Sequence, residues 1–490
     1  MDNDKIVVVA HHLSIDFYGE LAKCLSFNSE KEVRLLVLTE LQKTEAFNIG
    51  VVKDRITTLE SFKEKHNDDE CILLKYKNIN WNEIIASERS FTDYSFLFNS
   101  NGERRENYIY TYELLSLIAK FFDKYLKNAS QVISSFGDNI FNHIANVMAY
   151  CNGTKLYIPQ NNFLNEKGQL TGHYIGNTPY LESYSMISSY MKLKKRELTN
   201  AELIRINDYK KSLLNYKHEQ TLTYIYKKND FEKPITPNIW KLFSYLKKNY
   251  LRDKYIEFYK IDPFIKFKAN ILRAYRLKRI SFYLKRNTIV DFPENFVFFP
   301  MHFQPEASTL VNGLRYSNQI SLIESISMSL PVNYTLIVKE HPRGRGTRPL
   351  WQYKFINQLH NVQISDYDSK DILRKASAVI IISGSIGLEA CAMDKPVICL
   401  GRTFHSYSDV YYKVKNIKDL PRILFRVLLN KEYENDSGRF EKINKFFLSY
   451  IDNIKPNFAN MESGKTIAKN IFDDSVNNTD QYKKMIEEAF

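Results

Sequence analysis

The sequence predicts an α/β fold of two Rossmann-like units, with a basic helical segment between them and a helical C-terminus. Three observations carry this. Short β-branched runs alternate with helix-length segments early and late in the chain but not in its middle. The chain has 490 residues, more than one ordinary core holds. Several apolar runs stop at small or polar residues that open a helix, as parallel strands do when they feed crossover helices.

In chain order, Lys5–Ala10 (KIVVVA) reads as a buried strand. Ser14 is placed to cap the helix IDFYGELAKCL, and Val33–Thr39 (VRLLVLT) is the next strand. A helix near Tyr110–Leu126 follows, then a strand at Gln131–Ser134, a helix after Asp138 and a strand at Lys155–Ile158. Residues 1–185 form the first unit. Residues 186–290 are helical in pattern, with few glycines and no strand alternation. Their end, WKLFSYLKKNYLRDKYIEFYKIDPFIKFKANILRAYRLKRISFYLKR, interleaves Lys and Arg with Tyr, Phe, Ile and Leu. Residues 291–435 form the second unit. Its strands are Phe296–Phe299, Tyr334–Val338, Val362–Ile364, Val379–Ile382 and Pro396–Leu400; its helices include Gln319–Leu330 and Ser369–Ala376, the latter capped by Ser369. Residues 436–490 are helical and polar, and free to cross back to the first unit.

Composition narrows the function. The formal net charge is +13, which suits an anionic partner: a phosphorylated substrate, an anionic membrane surface or nucleic acid. The five cysteines show no CxxC spacing and mostly lie in apolar runs, so they read as reduced thiols of a cytoplasmic protein and not as a zinc or disulfide framework. The opening MDNDKIVVVAHH lacks the pattern of a signal peptide, and no run of eighteen apolar residues occurs. Any membrane contact is therefore expected to be peripheral. The basic aromatic segment carries no RNP, KH or zinc-finger pattern to favour nucleic acid.

The motifs that carry chemistry follow strands. Ser383-Gly384-Ser385-Ile386-Gly387 ends one strand and opens a helix, where small residues let an anion approach backbone N–H groups; it reads equally as a capped turn. Glu389, within that helix, suits ribose hydroxyls or simply the helix dipole. Lys339, His341, Pro342 and Arg343 follow the strand YTLIV, with Arg345 and Arg348 beyond; the imidazole can donate to a phosphate and the proline fixes the turn. Gln304 and Glu306 flank Pro305 in FFPMHFQPEAST and can read hydroxyls or begin a helix. In the first unit, Asp138 in SSFGDN is either a helix cap or a cleft-facing carboxylate. Gln160, Asn161 and Asn162 end another strand, and His11 and His12 follow the first. Asp366-Tyr367-Asp368 has the spacing of a metal-binding DxD motif, but the helix at Ser369 favours a turn and cap, so no metal is expected.

Two such units match the two-domain GT-B layout of glycosyltransferases, with a donor-binding second domain, an acceptor-binding first domain and a cleft between. The blocks FFPMHFQPEAST, VKEHPRGRG and SGSIGLEACAMDKPVICLG, in that order, resemble the bacterial capsule polysaccharide biosynthesis proteins. That family includes transferases using CMP-activated Kdo (3-deoxy-D-manno-octulosonic acid). The resemblance implies that His341 and Ser383, Gly384 and Ser385 hold the donor phosphate, Glu389 lies near the ribose, and Gln304 and Glu306 lie near the donor. Some members carry a catalytic Asp in a Glu-Asp-Gly motif after a first-domain strand. The nearest stretch here is Gln160-Asn161-Asn162, with amides instead, so Asp138 or Glu166 would have to serve, or the chemistry differs.

The resulting expectation is a glycosyltransferase of capsule, O-antigen or lipopolysaccharide synthesis. It would move Kdo or a related sugar from a CMP-activated donor to a glycan or lipid-linked glycan acceptor, in the cytoplasm and against the anionic inner-membrane surface. No cofactor beyond the donor substrate is expected. A UDP-sugar or CDP-polyol transferase is the nearest alternative, and a basic nucleic-acid-binding protein the alternative from another class.

Overall fold

A computed structural model describes residues 5–11, 14–63, 72–88, 108–137, 139–162, 172–215 and 263–456. The first sheet contains β1 (Lys5–Val9), β2 (Glu32–Val37), β3 (Ile56–Thr58), β4 (Ala129–Ile133), β5 (Lys155–Asn162) and β6 (Gly172–Gly176). The second contains β7 (Phe296–Pro300), β8 (Thr335–Lys339), β9 (Val362–Ile364), β10 (Ala378–Ile381), β11 (Val397–Cys399) and β12 (Tyr411–Lys413). A late two-residue strand, β13 (Lys455–Pro456), joins the first sheet.

The first sheet runs β13-β6-β5-β4-β1-β2-β3; β1 to β5 are mutually parallel, and β6 pairs antiparallel with both β5 and β13. The second runs β12-β11-β10-β7-β8-β9 and is parallel throughout. Renumbered from its own first strand, the second order is 3-2-1-4-5-6 reversed in direction of reading, the order of a dinucleotide-binding sheet. The α/β class with two Rossmann-like sheets is thus the observed fold.

Both sheets are covered on both faces, which is why their strands are continuous apolar runs. Alternate residues go to opposite sides. Ile6 and Val8 pack with Leu21 and Leu25 of helix Ile15–Asn28. Val7 and Val9 pack with Phe121 and Phe141, from helices Tyr108–Leu126 and Ile140–Cys151. In the second sheet Val297, Phe299 and Ile380 face helix Gln319–Ser329. Phe298, Val379 and Ile381 share a cluster with Tyr209 and Phe447, from helices Asn200–Asn215 and Arg439–Ile451. Segments far apart in sequence therefore cover one face of the second sheet.

The two halves are joined by more than the chain. The loop after β11 reaches the first half, where Arg402 pairs with the buried Glu182 at 2.7 Å and lies 3.8 Å over the Tyr180 ring. Phe404 packs against Tyr174 of β6 at 4.9 Å between ring centroids. Asp409 accepts from Tyr190, and from Lys194 Nζ at 2.9 Å.

Three local expectations are corrected. Ser14 stands at the start of its helix, but its hydroxyl donates back to the His11 carbonyl and caps nothing. The helix Ser369–Lys375 is capped by Asp368, whose carboxylate accepts the Lys370 N–H; Ser369 instead meets Lys339 Nζ. β5 does not stop at Ile158. Pairing with β6 carries it through Asn162, so Gln160, Asn161 and Asn162 are strand residues opposite Tyr174, His173 and Gly172. Pro159 is tolerated because the ladder to β4 has already ended at Tyr157.

Candidate functional site

In a sheet of this order, the crevice lies where the connections diverge, between β7 and β10, at the carboxyl ends of the strands. Three loops meet there. Each is tied to its neighbour by specific contacts.

The loop after β7 holds His302, Gln304 and Glu306. Gln319 clamps the His302 backbone, its Oε1 accepting the N–H at 2.7 Å and its Nε2 donating to the carbonyl at 3.0 Å. Gln304 Nε2 donates to the Ser317 carbonyl at 2.6 Å. Glu306 begins the short helix Ala307–Leu310 and accepts from Ser308 Oγ at 2.9 Å. Gln304 and Glu306 therefore shape this loop with at least part of their polar capacity. Ser383 Oγ donates to the Ser308 carbonyl, binding the turn after β10 to this loop.

The loop after β8 is organised by a residue the sequence reading passed over. Glu340 is 3% exposed. Its Oε1 accepts the His341 N–H at 2.9 Å, and its Oε2 accepts from Arg348 Nε at 2.8 Å and Tyr353 Oη at 2.9 Å. Arg348 Nη2 also donates to the His302 carbonyl at 3.1 Å, linking this loop to the one after β7. A side chain on Gly344 would run into the Glu340 carboxylate, so glycine is required there. His341 Nδ1 accepts the Arg343 N–H at 3.1 Å. In a neutral ring that bond assigns the proton to Nε2. The burial of Tyr353 pushes its hydroxyl well above its ordinary range, so it stays a donor to Glu340.

The basic cluster around His341 is divided in use. Arg345 pairs with Asp366, and Arg348 is spent on Glu340 and His302. Lys339 donates to Ser369 Oγ at 3.0 Å, and burial lowers its pKa. Arg343 and His341 are both half-buried, beside the exposed Pro342. The loop is braced from behind by the basic helix Pro263–Asn287: Arg273 donates to the Arg343 carbonyl and Arg276 to the Thr347 carbonyl, each at 3.0 Å.

The turn after β10 is tight. Gly384 lies under the His302 ring, and a Cβ there would stand 3.0 Å from His302 Cε1. Gly387 leaves room for Ile381 and His405. The following helix, Ile386–Ala392, has only seven residues, and Ser385 at its start is exposed and makes no capping bond. Small residues and open backbone, more than a long helix dipole, characterise this turn. Glu389 is buried in that helix, 2% exposed.

The first half contributes less that can be placed. Asp138 and Glu166 lie outside the described residues, as does His12; Asn161 is placed as a strand residue only. The cap of helix Ile140–Cys151 is Asn139, whose side chain accepts the Asn142 N–H at 2.9 Å, not Asp138. His11 is buried. Helix Ala307–Leu310 packs on helix Trp81–Ser87 of the first half, which sets the β7 loop opposite the first sheet. The structure thus brings His302, Gln304, Glu306, His341, Ser383 and Gly384 together and leaves Lys339 and Glu389 turned to other partners or the interior. No group of three or more metal-ligating side chains occurs among the described residues.

Residues 306–415 match the family model described as capsule polysaccharide biosynthesis protein. The chain resembles that family. The matched span runs from Glu306 through His341 and the Ser383–Gly387 turn, so it contains two of the three converging loops and the end of the third. Solved structures with a similar chain path include two Thermosulfurimonas dismutans KpsC structures. One is a beta Kdo 2,7 transferase, 11% identical over 72% of this chain and 89% of that one, with a TM-score of 0.34. The other is a beta Kdo 2,4 transferase, 13% identical over 69% and 84%, with a TM-score of 0.30. A Methanocaldococcus jannaschii UDP-GlcNAc 2-epimerase is 11% identical over 96% and 99%, with a TM-score of 0.26. These likenesses are too distant to assign chemistry. No curated protein matches the sequence.

Proposed function

We propose that the protein is a glycosyltransferase of surface-polysaccharide synthesis. Its donor is Kdo or a related sugar activated as the CMP derivative, and its acceptor is a glycan or lipid-linked glycan. The observation that carries the reading is the convergence of the loops after β7, β8 and β10 at the divergence point of the second sheet, within a segment matching the capsule polysaccharide family.

In this reading the donor phosphate sits between His341 Nε2–H and the open backbone at Gly384 and Ser385. Transfer breaks the bond from the anomeric carbon to the phosphate oxygen, and the electron pair leaves with CMP. Donors preorganised around that phosphate stabilise the charge it gains. The acceptor hydroxyl bonds to the anomeric carbon and gives up its proton. A first-half carboxylate takes that proton, or first traps the sugar as a covalent intermediate. Asp138 and Glu166 are the candidates by sequence, and Asn161 the residue at the family's motif position. The basic helix Pro263–Asn287 would hold the enzyme on the anionic inner face of the membrane, close to a lipid-linked acceptor.

A thermal-shift panel of CMP, UMP, UDP, CDP and an oligonucleotide separates the readings. CMP should raise the melting temperature most. A larger shift with UDP, CDP or the oligonucleotide would overturn the CMP assignment in favour of a UDP-sugar, CDP-polyol or nucleic-acid function respectively.

A further inference from the structure

His302 is the least explained polar group in the crevice. It is 8% exposed, and its Nε2 has no hydrogen-bond partner among the described residues. A buried polar atom in that condition costs free energy unless something completes it. The residue is not held loosely. Gln319 grips its backbone from both sides and Arg348 from a third direction. The ring therefore stands where the scaffold puts it.

Its position is at the centre of the convergence. It follows β7, the strand at which the sheet order diverges. Its Cε1–Nε2 edge lies over Gly384, where a Cβ would be 3.0 Å from Cε1 and 3.5 Å from Nε2. The neighbouring Phe303 ring is 6.1 Å from the His341 ring. His302 thus lies between the His341 loop and the Ser383–Ser385 turn, touching the latter.

We propose that His302 Nε2 is a third contact to the donor phosphate, donating a hydrogen bond to a non-bridging oxygen held between His341 and Gly384. The proposal rests on the donor-phosphate reading above and adds a residue to it. Burial first, then the neighbouring His341 and Arg348, push the imidazole down to about 3, so the ring is neutral at physiological pH. It supplies a directional N–H without adding a fixed charge to a site that must release CMP. Gly384 takes on a definite role: it keeps the ring edge uncovered by any side chain.

Calorimetric titration of the full chain with CMP, cytidine and inorganic phosphate tests this. His302→Phe preserves bulk and removes the donor, whereas His302→Gln can restore an N–H. Phe should weaken CMP about tenfold or more and leave cytidine unchanged; Gln should recover most of the loss. Gly384→Ala leaves His302 intact but presses a methyl on its ring, so it should also weaken CMP, independently of whether the histidine variants fold. CMP affinity in His302→Phe and Gly384→Ala equal to that of wild type, with wild type binding CMP, would overturn the His302 proposal alone. Absence of CMP binding to wild type would overturn the donor-site reading and the His302 contact with it. Equal losses for CMP and cytidine would show a structural histidine and no phosphate contact.

Discussion

At the residue scale, Glu340 determines the shape of the His-Pro loop. One buried carboxylate takes a backbone N–H, a guanidinium and a phenol at once. Such an ion pair is a poor source of stability in itself, but removing one partner strands the other. Glu340→Gln should lower stability by roughly 3 kcal/mol and loosen His341. The expected result is a lower melting midpoint together with weaker CMP binding; an unchanged midpoint would contradict the account of this network. Both Glu340 and His302 stand in plain view in the sequence, beside Lys339, His341 and Gln304. Nothing in the pattern distinguishes them, because their importance comes from burial and from partners 8 to 46 positions away: Arg348 and Tyr353 for Glu340, Gln319 and Arg348 for His302. The reverse also holds. Arg348 belongs in the sequence to the basic cluster beside His341, and in the structure it is a strut committed to Glu340 and the His302 carbonyl.

At the element scale, the strands of the parallel sheets were legible because burial on both faces writes itself as β-branched runs, as in β1, β7, β8 and β10. The strands β6 and β13 were not. β6 begins and ends in glycine, and β13 is two residues long with a proline. β6 is a strand through its antiparallel ladder with β5, and β13 through two residues of pairing along the outer side of β6. The basic helix Pro263–Asn287 has two contrasting sides. Ile280 and Leu284 enter the core, and Arg273 and Arg276 brace the His341 loop. Outward, Ile271, Tyr275 and Phe282 are each more than half exposed, among the exposed Lys278, Arg279, Lys285 and Arg286, and the helix has no acid. A single face of exposed aromatics and cations suits an anionic lipid surface. Neutralising Lys278, Arg279, Lys285 and Arg286 together should reduce binding to phosphatidylglycerol vesicles roughly a hundredfold at low salt. If wild type does not sediment with such vesicles, the membrane assignment fails.

At the scale of the whole molecule, buried histidines tie both halves to pH. His143 and His173 in the first half are pushed down to about 4, and His302 and His405 in the second to about 3, by burial in each case. His173 also feels Lys455, which β13 places opposite it. Each folded value lies below the ordinary 6.5, so the unfolded chain takes up protons first as pH falls. Stability from these groups is complete above about pH 6.5 and is lost as pH falls toward 3. Each histidine contributes a slope of at most about 1.4 kcal/mol per pH unit. The melting midpoint should be flat between pH 7 and 8.5 and fall steeply below about 6. A midpoint unchanged down to pH 4.5 would contradict it.

The same scale holds the central claim, that the loop ends of the second sheet form a nucleotide-phosphate site. Titration of CMP into wild type and into His341→Ala tests it most directly. The account predicts a measurable CMP affinity in wild type that falls at least tenfold in His341→Ala, with cytidine binding unaffected. Equal CMP affinity in the two proteins would contradict it.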